Sequence, residues 1–264
     1  MEYAGEVDAL GAGAALWPVG SRIMGLIGGG AHAEYLCVHE REAIAIPENL
    51  SWEEAAAIPE AFITAYDALV RQLEIKAGER VLIHAVGSGV GTAALQIAQL
   101  AGAQVFGTSR SISKLERAKE FGLAVGIDTS HDDWPTLIAG VTGGKGIDAI
   151  MDLLGGSYLP NGLCLLAPRG RLILVGLTAG RTAELDLGMI LNKRAHIIGT
   201  VLRSRPLEEK ISLAREFADK VLPLFETGRL RPVIDRVFSF GEISDAHRLM
   251  ESNSTFGKTV LRWD

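Results

Sequence analysis

Val81-Leu82-Ile83-His84-Ala85-Val86-Gly87-Ser88-Gly89-Val90-Gly91 is the stretch on which the fold turns. Val81–Ala85 is a short apolar run of the kind that forms a fully buried strand. A glycine turn follows, and Thr92-Ala93-Ala94 opens a helix at once. Such a turn lets the backbone approach a pyrophosphate closely, and the helix presents its first N–H groups and a partial positive charge to it. The strict G-x-G-x-x-G is absent. With Gly91 as the third glycine, Val86 and Ser88 hold the other two positions, leaving A-x-x-S-x-x-G from Ala85. Glycine turns between strand and helix are common, so it is the strand–turn–helix context that carries a dinucleotide reading.

Working outward, the chain alternates between apolar runs and helical patterns. Strands are expected at Gln104–Gly107, Ile147–Leu153, Arg171–Val175 and His196–Val201, and helices at Thr92–Ala101, Lys114–Phe121 and Tyr158–Leu166. This alternation predicts the α/β class, a doubly wound parallel sheet with helices on both faces. The two ends differ in texture. The first fifty residues are short apolar pairs cut by glycines, with Ala33–Val38 a strand candidate. Ser51-Trp52-Glu53-Glu54 has capping-box spacing, its helix runs to Pro59, and Phe62–Leu73 has apolar residues at helical spacing. One long amphipathic helix is expected over Leu207–Phe225. The tail from Val233 returns to short strands around a small helix near Asp245–Glu251. The ends therefore pair into a small β-rich domain, 1–55 with 230–264, flanking a dinucleotide-binding domain at 56–229.

The end of the second core strand selects the cofactor. An NAD site places an acid about 20 residues past the glycine turn, for the ribose 2′-hydroxyl. Here the segment is Gly107-Thr108-Ser109-Arg110-Ser111-Ile112-Ser113-Lys114, with a hydroxyl and two cations and no acid. Charge-assisted hydrogen bonds from Ser109, Arg110 and Lys114 suit a 2′-phosphate, so NADP(H) is preferred to NAD(H).

A net charge of −6 argues against a nucleic-acid partner, which needs clustered Lys and Arg. The start lacks the basic region of a signal peptide, and no apolar run approaches membrane-spanning length, so a cytoplasmic protein is expected. Cys37 and Cys164 are too few for a disulfide framework or a zinc quartet. His32, Glu34, Cys37, His39 and Glu40 lie close in sequence, but on a strand His32 and Glu34 face away from Cys37 and His39. No metal site is expected there. Gly143-Gly144-Lys145-Gly146 leads into a strand rather than a helix and reads as a turn. Asp132-Asp133 reads as a helix N-terminus, and Arg203 with Arg205 as either a surface pair or a cofactor contact. No nucleophile–base pair or carboxylate dyad stands out, which fits hydride chemistry carried by a cofactor. The catalytic residues stay unassigned.

Val81–Gly91, Ile58-Pro59-Glu60-Ala61-Phe62-Ile63-Thr64-Ala65-Tyr66 and Asp152-Leu153-Leu154-Gly155-Gly156-Ser157-Tyr158 together resemble the zeta-crystallin-like quinone oxidoreductases. Gly170–Gly176 and Thr200–Arg205 add to the likeness. This is a zinc-independent branch of the medium-chain dehydrogenase/reductase superfamily. The resemblance implies a Rossmann-type domain beside a GroES-like barrel domain. It also implies a homodimer joined through strands Arg171–Val175 and His196–Val201, whose uncovered edge is a pairing hazard. By this likeness Thr64 sits near the nicotinamide ribose or carboxamide; Ser88, Gly89 and Val90 cradle the pyrophosphate; Ser109, Arg110 and Lys114 hold the 2′-phosphate. Leu154 and Gly155 line the groove, Gly176, Leu177, Val201, Leu202 and Arg203 border the nicotinamide, and Thr255 closes from the tail. Thr129 stands where the family often has a Tyr against the adenine, and Thr255 where it often has Asn. Family members carry several dozen residues before the equivalent of Tyr3-Ala4-Gly5, so the barrel is expected to be shortened. A shortened barrel would bind NADPH and reduce quinones slowly. The expected activity is NADPH-dependent quinone reduction. Its rivals are reduction of a conjugated C=C in a 2-alkenal or enoyl thioester, and non-catalytic NADPH binding.

Overall fold

The computed structural model describes residues 1–263 and divides into two compact units, Met1–Thr64 with the chain from Leu202 onward, and Ala65–Val201. In the first unit β1 (Glu2–Glu6), β2 (Arg22–Leu26) and β3 (Ile44–Ala45) form an antiparallel sheet in that order. The second unit holds β4 (Arg80–Ile83), β5 (Gln104–Ser109), β6 (Val125–Asp128), β7 (Ile147–Asp152), β8 (Leu166–Leu174) and β9 (His196–Gly199). The tail of the first unit adds β10 (Ile234–Ser239) and β11 (Lys258–Arg262), a parallel pair.

Several elements of the strand-rich unit depart from expectation. Ala33–Val38 forms bends instead of a strand, and no ladder includes it among the described residues. Alternation of faces therefore does not apply to His32, Glu34, Cys37 and His39. The helix expected over Leu207–Phe225 is two, Leu207–Lys220 and Leu222–Glu226, broken at Val221. Pro223 causes the break: it has no N–H to donate to the preceding turn, and its ring crowds that turn's carbonyl. Helix Leu207–Lys220 buries Ile211, Leu213, Ala214 and Phe217 and packs on β3, Glu40–Glu42 and Pro59–Ile63. That packing places it in the strand-rich unit, so the boundaries fall at 64/65 and 201/202 where the sequence pointed to 55/56 and 229/230. Ser51 caps helix Trp52–Ala56 in a complete capping box with Glu54, as its spacing predicts.

The six strands of the second unit are all parallel and run β6-β5-β4-β7-β8-β9. Winding proceeds outward from β4 to β6, then restarts at β7 and proceeds the other way to β9. The order reverses between β4 and β7, and the crevice outside the carboxyl ends of such strands is where doubly wound sheets bind ligands. Leu82, Phe106, Ile127, Ile138, Ile147, Ile150, Leu163 and Leu172 form a core along this sheet. Strands covered on both faces read as continuous apolar runs, which is why β4, β7 and β8 are visible in sequence. β6, with Gly126 and only a half-buried Val125, and helix Leu187–Lys193 are not. Away from the crevice, Arg80 at the start of β4 makes a bidentate pair with Asp148 (both 2.9 Å), and Arg171 one with Glu79 (3.0 and 2.7 Å).

Candidate cofactor site

The glycine turn lies at the carboxyl end of β4. Ala85 is held in the left-handed region (φ 50°), a conformation costly for an alanine and tolerated where the surroundings enforce it. Its carbonyl accepts from Ser88 N at 2.9 Å, closing the turn. Ser88 then caps helix Gly89–Leu100, its Oγ accepting from Gly91 N at 3.0 Å. The N–H groups of Gly89 and Val90, in the first helical turn, have no carbonyl within the helix to bond. Ser88 is exposed and Gly89 and Val90 half-buried, so these donors stand at the surface of the crevice. Gly91 is irreplaceable on steric grounds. A Cβ there would lie 2.4 Å from the Ala85 carbonyl oxygen and 2.8 Å from the Val86 backbone.

Next along the carboxyl ends of the strands, Ser109 ends β5, its Oγ accepting from Ser111 N at 3.1 Å. Ser111 caps the short helix Ile112–Ala118 through Lys114 N (3.4 Å). The turn thus brings Ser109, exposed Arg110 and half-buried Lys114 to one loop. β6 carries a group that the sequence reading did not weigh. Asp128 stands in register with Ser109, and hydrogen bonds from Ser130, backbone foremost, hold its carboxyl below the usual range. Thr129 follows it, donating from its N–H to the Ser109 carbonyl (2.9 Å) and accepting from Tyr158 Oη (3.3 Å).

On the other side of the crevice, the loops after β7 and β8 are pressed together. Asp152 Oδ1 accepts from Leu154 N (2.8 Å) and Gly155 N (2.9 Å). Gly155 has φ 66°, and a Cβ on it would meet Leu177 Cδ2 at 2.7 Å and Gly180 O at 2.9 Å. Gly176 is as confined, with a Cβ 2.5 Å from Leu153 O. Leu177 and Val201 leave apolar side chains exposed, by 44% and 56%. Thr64, Leu202, Arg203 and Thr255 belong to the strand-rich unit. There Thr64 is buried with its hydroxyl unpartnered, Leu202 is buried, Thr255 half-buried and Arg203 exposed.

Sequence reasoning missed the layer beneath these loops. His84 is fully buried, its Nδ1 2.9 Å from Thr108 Oγ1 and its ring edge-on to Trp134 and Tyr158. Burial pushes its imidazole pKa down to about 4, against the pull of the Asp152 carboxylate. A histidine closing an otherwise apolar strand was the one signal available.

Residues 89–220 match the family described as zinc-binding dehydrogenase. A quinone oxidoreductase of Pseudomonas aeruginosa is 31% identical over 98% of this chain and 80% of its own. The chain belongs to the quinone oxidoreductase-like medium-chain dehydrogenase/reductases. As a member of that family it is an oxidoreductase. A solved NAD-dependent alcohol dehydrogenase superposes with a TM-score of 0.87 at 34% identity, over 98% of this chain and 80% of that one. The CurK enoyl reductase does so with a TM-score of 0.88 at 30% identity, over 100% and 78%. The zinc named in the family's description has no ligand set here: among the described residues no three His, Cys, Asp or Glu side chains are grouped to hold a metal. A catalytic zinc needs three convergent protein ligands.

Proposed function

We propose that this oxidoreductase transfers hydride from NADPH to a quinone or a similar conjugated carbonyl acceptor. The observation that carries the reading is the loop after β5, where Ser109, Arg110 and Lys114 come together with no acid among them. The turn at Ser88–Val90 supplies donors for the pyrophosphate, and the space that a side chain at Gly91 would fill keeps the helix close to the strand. When bound, the nicotinamide supplies the hydride. The chain's own part is to anchor the two phosphate regions and to offer the apolar surface of Leu177 and Val201, which exclude water. The hydroxyl–imidazole pair of Thr108 and His84 is buried and not offered to a substrate, and protons come from water or a weak acid. The enoyl reductase likeness favours a second reading, reduction of a conjugated C=C on the same site.

Steady-state oxidation of NADPH against a panel of quinones, 2-alkenals and enoyl thioesters tests both. Quinones are expected to give kcat/KM at least about tenfold above the others, a difference in transition-state binding of about 1.4 kcal/mol. An order reversed in favour of enoyl thioesters would establish the second reading. NADPH binding without turnover of any acceptor would leave a non-catalytic binder.

The same reading pairs two copies of the chain along β9. That strand is an edge of the sheet, and on the helix that precedes it Leu187 and Leu191 are 67% and 76% exposed. Light scattering across a wide concentration range should find a dimer, and a monomer throughout would overturn this pairing. No helix among the described residues is long and apolar enough to cross a membrane. The free, exposed thiols of Cys37 and Cys164 suit the reducing cytoplasm. The partner is then a small molecule, not nucleic acid or membrane.

A further inference from the structure

Four buried or half-buried polar side chains tie the floor of the crevice together, and the hydride reading uses none of them for chemistry. His84 follows β4, Thr108 lies in β5, Thr129 follows β6 and Asp152 ends β7. Each therefore sits at the root of a loop assigned above to the cofactor: Ser88–Val90, Ser109–Lys114, Thr129 itself, and Leu154–Gly155. His84 joins the first two through Thr108 Oγ1, at 2.9 Å. Tyr158, its ring 5.0 Å from the imidazole, joins the third by donating to Thr129. Asp152 holds the fourth with two hydrogen bonds to its Oδ1. The backbone brings the ends of the chain of contacts side by side, since His84 N donates to Met151 O at 3.1 Å.

One link in this set is open. His84 Nε2 and Asp152 Oδ2 are both buried, and neither has a hydrogen-bond partner. An orphaned buried polar atom is costly, more so when charged. Here an imidazole nitrogen and a carboxylate oxygen on adjacent strand ends are orphaned together. The imidazole can relieve both as its Nε2–H tautomer, donating to Asp152 Oδ2 while Nδ1 accepts from the Thr108 hydroxyl. Trp134 and Tyr158 pack against the ring, and apart from Asp152 the groups facing it are uncharged: the Thr108 and Tyr158 hydroxyls and the indole.

We propose that His84 is a positioning residue for the dinucleotide: as a neutral Nε2–H imidazole it closes onto Asp152 Oδ2 when a pyrophosphate seats on the Ser88–Val90 turn, and so locks the Leu154–Gly155 loop in place across the crevice. This rests on the NADPH reading above. His84 touches no substrate; it acts through Asp152, and the two should behave as one unit.

The test uses the wild-type protein, His84→Phe, Asp152→Asn and the double variant, with two ligands. NADPH spans the whole floor, whereas adenosine 2′-monophosphate carries neither pyrophosphate phosphate and is assigned to the Ser109–Lys114 loop and Thr129, away from the Ser88–Val90 turn. His84→Phe keeps the ring packing and should raise the Kd for NADPH about tenfold or more. It should change that for adenosine 2′-monophosphate less than about twofold, and the double variant should bind no worse than the weaker single one. Imidazole 15N resonances of the wild-type protein near neutral pH should show His84 neutral and Nε2-protonated with NADPH bound. Equal losses for both ligands would mean a structural role only and overturn the proposal. So would a charged or Nδ1-protonated His84 in the bound wild type, a measurement that decides the matter even where His84→Phe does not fold. A wild-type protein that binds no nicotinamide dinucleotide overturns the NADPH reading and this inference together. Tight wild-type binding that His84→Phe leaves unchanged overturns this inference alone.

Discussion

Gly91→Ala is expected to weaken NADPH binding by about one to two orders of magnitude and to lower Tm. A Cβ at this position would lie 2.4 Å from Ala85 O, and Ala85 is already in the left-handed region. The turn has no slack: moving Ala85 disturbs its hydrogen bond to Ser88, and moving the helix withdraws the Gly89 and Val90 donors from the crevice. Overpacking of this kind costs about 1–3 kcal/mol, which is about five- to 150-fold if it falls on the cofactor complex. Gly140→Ala is the control. A Cβ there meets nothing within 4 Å, in the last turn of helix Trp134–Val141, and should leave affinity unchanged. Calorimetric titration and thermal melts of the two variants decide it. NADPH affinity in Gly91→Ala within twofold of wild type would show that the turn does not hold the pyrophosphate.

Cofactor choice is the second large effect. Wild-type protein should bind NADPH at least about tenfold more tightly than NADH, because a hydrogen bond to a charged group contributes about 1.5–3 kcal/mol. Lys114→Ala and Arg110→Ala should each erase much of that gap, by weakening NADPH while leaving NADH as it was. The comparison is two-sided. The solved relative named as an NAD-dependent alcohol dehydrogenase shares this fold at 34% identity, and Asp128 stands in register with Ser109 on the neighbouring strand. If Asp128 serves the ribose 2′-hydroxyl, NADH will bind as well as NADPH, and equal affinities in a fluorescence titration would end the preference for NADPH.

The legible part of this protein is its short-range part. A buried strand, the steric demand for glycine at Gly91, the Ser88 cap and the Ser51–Glu54 capping box each depend on residues a few positions apart, so they can be read without the fold. Alternation of β4, β7 and β8 with helices likewise declared the doubly wound class, because strands covered on both faces must be apolar throughout. Elements with weaker local signals were missed or misjudged. Ala33–Val38 has the composition of a strand but finds no ladder partner among the described residues, and β6 is a strand because β5 pairs with it.

Tertiary structure decided what depends on partners far away in sequence. Helix Leu207–Lys220 is amphipathic in any reading, but only its packing on β3 and Pro59–Ile63 shows which unit it completes. The loops after β7 and β8 were assigned to the cofactor by resemblance alone; that Gly155 and Gly176 give room to Leu177 and Leu153 is visible only once those loops meet. His84 and Asp152 are 68 positions apart and read singly as a strand-end histidine and a loop-start acid. Parallel pairing of β4 with β7 sets them side by side in a buried interior, where an unpaired imidazole nitrogen and carboxylate oxygen acquire an energy that neither has in the linear chain.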